Sequence, residues 1–258
     1  MFIKQVPDTN DVKWTQNNNI DRAKMECILN PADRQALEAS IRLKEEYGAN
    51  ITAITMGPNK AVDILKEAIA MGVDDAILLC DSKFAGSDTC ATSKVLSSAI
   101  KEKFPNTDLI IFGQSAIDGE TSQTGPSTAT RLNMPFVCYV NEITSISNNV
   151  INVNTETETR KTTAQINLPA VICINNYVFK PRPPKINGYI NAHKYNYKSF
   201  NLYELNIDES QVGIKGSPTY VSSVYKTNDC RNCNIIDTKE ENHYANEIIK
   251  EIKKVMEH

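Results

Sequence analysis

The residues best suited to chemistry lie between positions 113 and 126: Gly113-Gln114-Ser115-Ala116-Ile117-Asp118-Gly119-Glu120-Thr121-Ser122-Gln123-Thr124-Gly125-Pro126. Hydroxyls, amides and glycines crowd together there, and no apolar residue follows Ile117. The chemistry such a set can do is anion binding. Amide N–H groups at a helix start carry partial positive charge, and small residues let a diphosphate approach them. No other grouping competes. The three histidines are scattered. Cys230-Arg231-Asn232-Cys233 has redox or zinc spacing, but no second cysteine pair follows and His243 is isolated, so the four ligands of a zinc site are missing and no metal is expected. There is no Walker A pattern, Ser-Gly-Gly pyrophosphatase loop or nucleophile elbow.

The elements around this loop must hold it as a strand–loop–helix cradle. Leu109 to Phe112 is an apolar strand entering it, and Pro126 to Leu132 a helix leaving it. Upstream, Phe2 to Val6 reads as a strand ending at Pro7. A helix from Pro31 to Tyr47 follows, with Asn30 as N-cap, Pro31 at the first position and Gly48 to close it. Ile51 to Met56 and Ala76 to Cys80 are strands. Between them a helix carries Ile64, Leu65, Ala68 and Ile69 and ends at Gly72. Ser87-Asp88-Thr89 caps a helix burying Ala91, Val95 and Ala99, and a strand lies near Phe136 to Val140.

Strands alternating with amphipathic helices predict right-handed βαβ units and a doubly wound, mostly parallel α/β sheet. Ligands bind such sheets beyond the carboxyl ends of the strands, where strand order reverses. The loops at Val6-Pro7, at Met56-Gly57-Pro58 and from Gly113 to Gly125 should therefore meet at one site. After Asn141 the rhythm changes, and Val150 to Val153, Ala164 to Asn167 and Ala170 to Ile174 read as an antiparallel addition. Residues 176 to 236 hold few periodic apolar positions and read as an extended arm laid on another protein. A last helix begins near Asp237, with Thr238 and Glu241 spaced as a capping box. Its stripe of Ala245, Ile248, Ile249, Ile252 and Val255 faces either its own domain or a partner. The organisation expected is a nucleotide-binding domain at 1–190 and a C-terminal arm and helix at 191–258.

With 258 residues, 41% of them apolar, the chain can bury a proper core. No apolar run approaches the roughly 20 residues of a membrane span. The first residues turn polar at once, unlike a signal peptide. A net charge of −3 supports neither a nucleic-acid nor a membrane-surface role. Seven scattered cysteines suit reduced thiols in a cytoplasm. Trp14 is expected to cover a loop or an interface.

The order of motifs resembles the beta subunit of electron transfer flavoproteins. The residues carrying this are Lys4-Gln5-Val6-Pro7-Asp8-Thr9, Asn30-Pro31-Ala32-Asp33, Thr55-Met56-Gly57-Pro58, Ala70-Met71-Gly72-Val73-Asp74, Gly86-Ser87-Asp88-Thr89 and the cradle. Leu168-Pro169-Ala170-Val171 and Lys180-Pro181-Arg182 continue it. The resemblance spans about residues 1 to 190 and implies an adenine-nucleotide-binding domain, related to universal-stress proteins, paired with an FAD-holding alpha subunit. It places a nucleotide against Phe2, Ile3, Lys4 and Val6, against Asn30 and Asp33, at Met56 and Gly57, and along Asp118, Gly119, Thr121, Gln123, Thr124, Gly125, Pro126, Ser127 and Thr128. A carboxylate at Asp118 would repel a diphosphate unless N–H donors compensate it, so Asp118 should orient the loop or bind a hydroxyl.

In one branch of the family the resemblance implies structural AMP in this pocket. In the other it implies a second FAD, reduced by NADH and splitting electrons between the alpha-subunit FAD and ferredoxin or flavodoxin. Asp118-Gly119-Glu120-Thr121-Ser122-Gln123-Thr124-Gly125-Pro126 resembles the second branch's Asp-Gly-Asp-Thr-Ala-Gln-Val-Gly-Pro, departing at Glu120, Ser122 and Thr124. The protein would then be an electron carrier, oxidising NADH only within a complex with a dehydrogenase, such as one for acyl-CoA or lactate. Arg182, Ile186, Tyr189 and Ile190 are candidate dehydrogenase contacts, or else a proline-stiffened connector. Two other classes compete. A stand-alone nucleotide-binding stress sensor would lack the long arm. An ATP-cleaving ligase or pyrophosphatase would need a phosphate loop where Val6-Pro7-Asp8 stands.

Overall fold

The structure, a computed structural model, describes residues 1–8, 26–220 and 241–256. They fall in two compact units, Met1–Ser223 and Val224–His258. In chain order the first unit contains β1 (Gln5–Pro7), β2 (Cys27–Leu29), α1 (Pro31–Tyr47), β3 (Thr52–Met56), α2 (Val62–Met71), β4 (Asp75–Leu79), α3 (Thr89–Lys103) and β5 (Leu109–Gly113). It continues with α4 (Thr124–Leu132), β6 (Phe136–Ser147), β7 (Val150–Glu156), β8 (Lys161–Asn167), β9 (Ala170–Ile174), α5 (Ile186–Lys194), β10 (Lys198–Phe200) and α6 (Gly213–Gly216). The second unit contains α7 (Glu241–Met256). None of the described helices is long and apolar enough to cross a membrane.

Two strand sets, β10-β4-β3 and β5-β9-β6-β7-β8, become one sheet through the first three residues. Phe2 N donates to Ile111 O at 3.0 Å, Ile3 N to Ile54 O at 2.9 Å, and Ile54 N to Met1 O at 2.9 Å. The chain therefore starts in the middle of the sheet. It builds outward to one side through β3 and β4, then crosses to build the other side from β5. That crossing is the switch point of a doubly wound sheet, and it lies between the first segment and β5. The expected first strand, Phe2 to Val6, is divided: residues 1–3 stay in the sheet, while Gln5–Pro7 turns off to pair antiparallel with β2.

Alternation sorts the apolar side chains onto two faces. Leu37, Ile41, Ile64 and Leu65 of α1 and α2 cover Ile3, Ala53 and Leu78 on one. Val95, Ala99 and Ala129 of α3 and α4 cover Phe2, Ile54, Ile77, Ile110 and Val171 on the other. Phe2 and Phe112 stack with ring centroids 5.0 Å apart. Burying such a side chain is worth about 1.5–3 kcal/mol, so both halves of the sheet are fixed to the layer that carries the cradle.

Three expectations change. The addition after Asn141 is antiparallel only in β6-β7-β8, because β9 inserts parallel between β5 and β6. Its Ala170–Ile174 run is buried throughout, as a two-sided central strand must be. The arm from 176 onward, read as laid on another protein, is structured on its own domain as far as residue 220. Its β10 extends the sheet parallel to β4, and Leu202, Leu205, Ile207 and Val212 enter the α3-side core. The boundary expected at 190 thus falls inside the first unit. Its polar composition hid the few apolar anchors. In the second unit, Ile248, Ile249 and Ile252 of α7 are each about half exposed. Thr9, Trp14, Cys230, Cys233, Asp237 and Thr238 lie outside the described residues, as do the side chains of Glu241, His243 and Val255.

Candidate functional site

At the switch point, one turn of helix gathers three chain segments. Asp33 sits in the first turn of α1 and is buried. Its carboxylate accepts Lys4 N at 2.8 Å and Gly113 N at 3.1 Å. It thus ties the end of the first segment and the end of β5 to the start of α1. Burial pushes the Asp33 carboxyl up to about 7 against the opposing pull of its hydrogen bonds from Asn30, Lys4 and Gly113. Asn30, expected as an N-cap, makes no capping bond. It is fully buried and works outward instead: Nδ2 donates to Ser115 O at 2.8 Å and Oδ1 accepts from Ile117 N at 3.3 Å. The helix start is free of a side-chain cap because that side chain is used to bolt down the cradle.

Beyond these bolts the cradle is open. Asp118, Gly119, Glu120 and Thr121 are exposed. Gly119 N and Glu120 N both donate to Ala116 O, at 3.1 and 2.7 Å. Glu120 and Ser122 take left-handed backbone angles, φ 48° and 53°, which are uncommon for residues with a side chain. Lys4 Nζ reaches Asp118 Oδ1 at 2.6 Å. The compensation that Asp118 requires therefore comes from a lysine ammonium, where N–H donors were expected. Nothing in the spacing marks a pair 114 residues apart.

Helix α4 starts at Thr124, two residues before the predicted Pro126, and Gln123 at its N-cap makes no side-chain cap bond. Ser127 N begins the helical ladder on Gln123 O at 2.9 Å, and Pro126 has no N–H. The amides of Thr124 and Gly125 are thus first-turn donors without intrahelical partners. Thr128, by contrast, is buried and its hydroxyl donates to Thr124 O at 2.7 Å, so it braces the helix and does not face outward. Gly125 is buried too. A Cβ there would stand 2.6 Å from Cys173 Sγ, so its small size answers to the floor beneath the helix.

The remaining expected residues divide in two. Phe2, Ile3 and Val6 belong to the core by side chain and border the site by main chain only. Met56 is partly buried against the α3-side cluster at the end of β3, and Gly57 N is held by Leu79 O at 3.0 Å. Farther along α1, Arg182 is clasped by that helix. It donates to Glu38 Oε2 at 2.9 Å from Nε and also binds Glu45. The Glu38 side chain is only 4% exposed. Burial pushes its carboxyl up, but hydrogen bonds from Arg182 and Arg42 outweigh that and hold it below the usual range. Ile186, Tyr189 and Ile190, spaced for one face of α5, are largely exposed. Gln114 escaped the sequence reading. It is buried, and its Oε1 accepts Tyr139 N at 3.2 Å where β6 bulges.

First-turn amides and a lysine ammonium at the switch point of a doubly wound sheet are groups whose chemistry suits an anion, in an α/β protein whose strand ends face this loop. The model of the electron transfer flavoprotein domain matches residues 18–195. The electron transfer flavoprotein subunit beta of Thermoanaerobacterium thermosaccharolyticum is 41% identical over 223 residues, covering 86% of this chain and 85% of that protein. The acryloyl-CoA reductase electron transfer subunit gamma of Anaerotignum propionicum is 38% identical, covering 85% and 84%. The caffeyl-CoA reductase-Etf complex subunit CarD of Acetobacterium woodii is 37% identical, covering 84% and 83%. The chain belongs to the electron transfer flavoprotein family, as a beta subunit.

Proposed function

We propose that this beta subunit holds an FAD in the cradle and, paired with an alpha subunit, divides electrons from NADH between two acceptors. One is the alpha-subunit FAD with its dehydrogenase, and the other is ferredoxin or flavodoxin. The names of two relatives point to a reductase of acyl-CoA type as the dehydrogenase. When bound, FAD supplies what no side chain can: it takes two electrons as hydride and passes them on singly.

The observation carrying this reading is Gly119. It lies in the exposed part of the cradle, and a Cβ there would meet nothing within 4 Å. A dinucleotide needs such space beyond its first phosphate, whereas AMP ends there. The residues fit the group. Thr124 and Gly125 offer first-turn amides, and Thr121, Gln123 and Ser127 offer hydroxyl and amide groups. Lys4 brings a cation that can move from Asp118 toward a phosphate. Asp33 and Asn30 keep these donors in place before any ligand arrives, which spares the ordering cost.

Co-expression with the alpha subunit, followed by acid release and counting of flavin and AMP, tests the reading. Two FAD per heterodimer, both reduced by NADH without air, is the expected result. One FAD with one AMP would overturn it in favour of an electron carrier with a structural nucleotide.

A further inference from the structure

Beneath the cradle lie two cysteines that the proposed function does not use. Cys173 is in β9 and Cys138 in β6, neighbouring parallel strands. Their register pairs Val137 with Ile172 and then Val140 with Ile174, so Cys138 and Tyr139 together oppose Cys173 across a bulge. Both sulfurs belong to the α3-side cluster. Ile172 and Val137, one residue back on each strand, join the opposite face, as alternation requires. Adjacent strands run about 4.7–4.9 Å apart, inside the roughly 4.4–6.8 Å Cα separation that a disulfide needs. The bulge adds slack on the Cys138 side. Cys138 is partly exposed and Cys173 buried, and both are free thiols.

We propose that Cys138 and Cys173 form a thiol–disulfide site, oxidised by hydrogen peroxide or a related two-electron peroxide, beneath the first turn of α4. In the first step the Cys138 thiolate attacks one peroxide oxygen. The O–O bond breaks, and Cys138 becomes a sulfenic acid while the departing hydroxide takes a proton and leaves as water. In the second step the Cys173 sulfur attacks the Cys138 sulfur. The S–S bond forms, the S–O bond breaks, and the hydroxide leaves with the Cys173 proton as a second water. Two thiols lose two electrons to one peroxide, and a dithiol reductant reverses the change.

The division of roles follows from the surroundings. The two thiols act on each other: the neighbouring Cys173 holds the Cys138 thiol below its usual range, while Cys138 and burial together push the Cys173 thiol up. Cys138, the partly exposed member of the pair, is thus the more readily ionised thiol and attacks first, and the buried Cys173 resolves. Cys173 Sγ is also the atom packed under Gly125. Forming the bond draws this sulfur toward β6 and alters the floor of the helix start that borders the cradle.

The test is peptide mapping of the full chain, purified under argon, exposed to hydrogen peroxide and digested without reductant. Expected is a cross-linked peptide pair joining Cys138 to Cys173, lighter than the separate peptides by two hydrogens and dissolved by dithiothreitol. In Cys173→Ala, oxidation should stop at Cys138 as a sulfenic acid that dimedone traps. The wild-type digest decides the matter even if that variant does not fold. Cys138 driven to sulfinic acid without a cross-link, paired with a different cysteine, or left unmodified would each overturn the proposal. None of these readouts depends on which nucleotide the cradle takes.

Discussion

Replacing Gly125 by alanine sets the new methyl 2.6 Å from Cys173 Sγ and 3.4 Å from the Phe112 ring. Comfortable separation for such atoms is about 3.5–4 Å, so roughly 1 Å must be found. The floor yields little. Cys173 is 2% exposed and sits in a strand paired on both sides, to β5 and to β6. Short of rotating Cys173 into Cys138 or Phe112, the start of α4 has to lift. Overpacking of this kind costs about 1–3 kcal/mol. Alanine returns at most about 1 kcal/mol through better helix propensity. The net expectation for Gly125→Ala is a loss of about 1–2 kcal/mol, together with weaker nucleotide binding because the Thr124 and Gly125 amides move.

Cys173→Ala removes the obstacle and by itself costs about 1 kcal/mol as a small cavity. The double variant should be more stable than the sum of the two losses, with a coupling of about 1 kcal/mol or more, as expected for touching residues. Urea unfolding of the four proteins at one pH measures this, provided the slope with denaturant stays constant. Gly119→Ala, with nothing within 4 Å of its Cβ, is the control and should change stability by less than about 0.5 kcal/mol. If Gly125→Ala unfolds at the wild-type midpoint, or the two losses add within about 0.3 kcal/mol, the packing account of Gly125 is refuted.

Three further outcomes are expected. Asp33 keeps its proton to about 7 when folded, against 3.8 as the ordinary value, so the folded state binds the extra proton between those limits. Its contribution to stability should fall as pH rises through that window, by no more than about 4 kcal/mol in all; Asp33→Asn should lack this component, and unfolding midpoints from acid to neutral pH will show it in the difference between the two. Arg182→Met leaves the buried Glu38 carboxylate with Arg42 as its remaining arginine partner and should cost about 1–3 kcal/mol at neutral pH. Because Glu38 is held low, that cost should vanish as pH drops through the folded-state titration of Glu38, and the same measurement checks it. Lys4→Met should alter stability by under about 1 kcal/mol, since the pair with Asp118 is half exposed, yet weaken ADP binding and reduce its salt dependence in fluorescence titrations at low and high salt.

The alternating strands and helices were legible because each carries a local signal. Pro31 and Gly48 bracket α1, with Gly48 at φ 71°, and Asp88 caps α3 by accepting Ala91 N at 3.0 Å. The cradle was legible because its composition has no place in a core. What was hidden depends on pairings distant in sequence. The direction of β9 is invisible in Ala170–Ile174, which reads alike in either sense. The folding back of residues 198–212 rests on four apolar side chains spread through a polar stretch. Asn30 was misread for a related reason: its type suits an N-cap, and only the arrival of Ser115 and Ile117 from 85 and 87 residues away gives its amide better partners.

The glycines of the cradle are small for different reasons. A Cβ at Gly113 would strike the Asp33 carboxylate at 2.5 Å and the α1 backbone at 2.6 Å, so Gly113 is small because the helix start closes on β5. Gly125 is small because Cys173 lies under it. Both serve the packing of the cradle on the sheet, and any ligand-binding protein with these walls would need them. Gly119 alone of the three faces open space, and it is therefore the position where residue size can report on the ligand. A methyl group introduced there meets no other atom of the folded chain within 4 Å. On the proposed function, an effect of that methyl on which nucleotide is retained would come from contact with the ligand and not from a change in the fold.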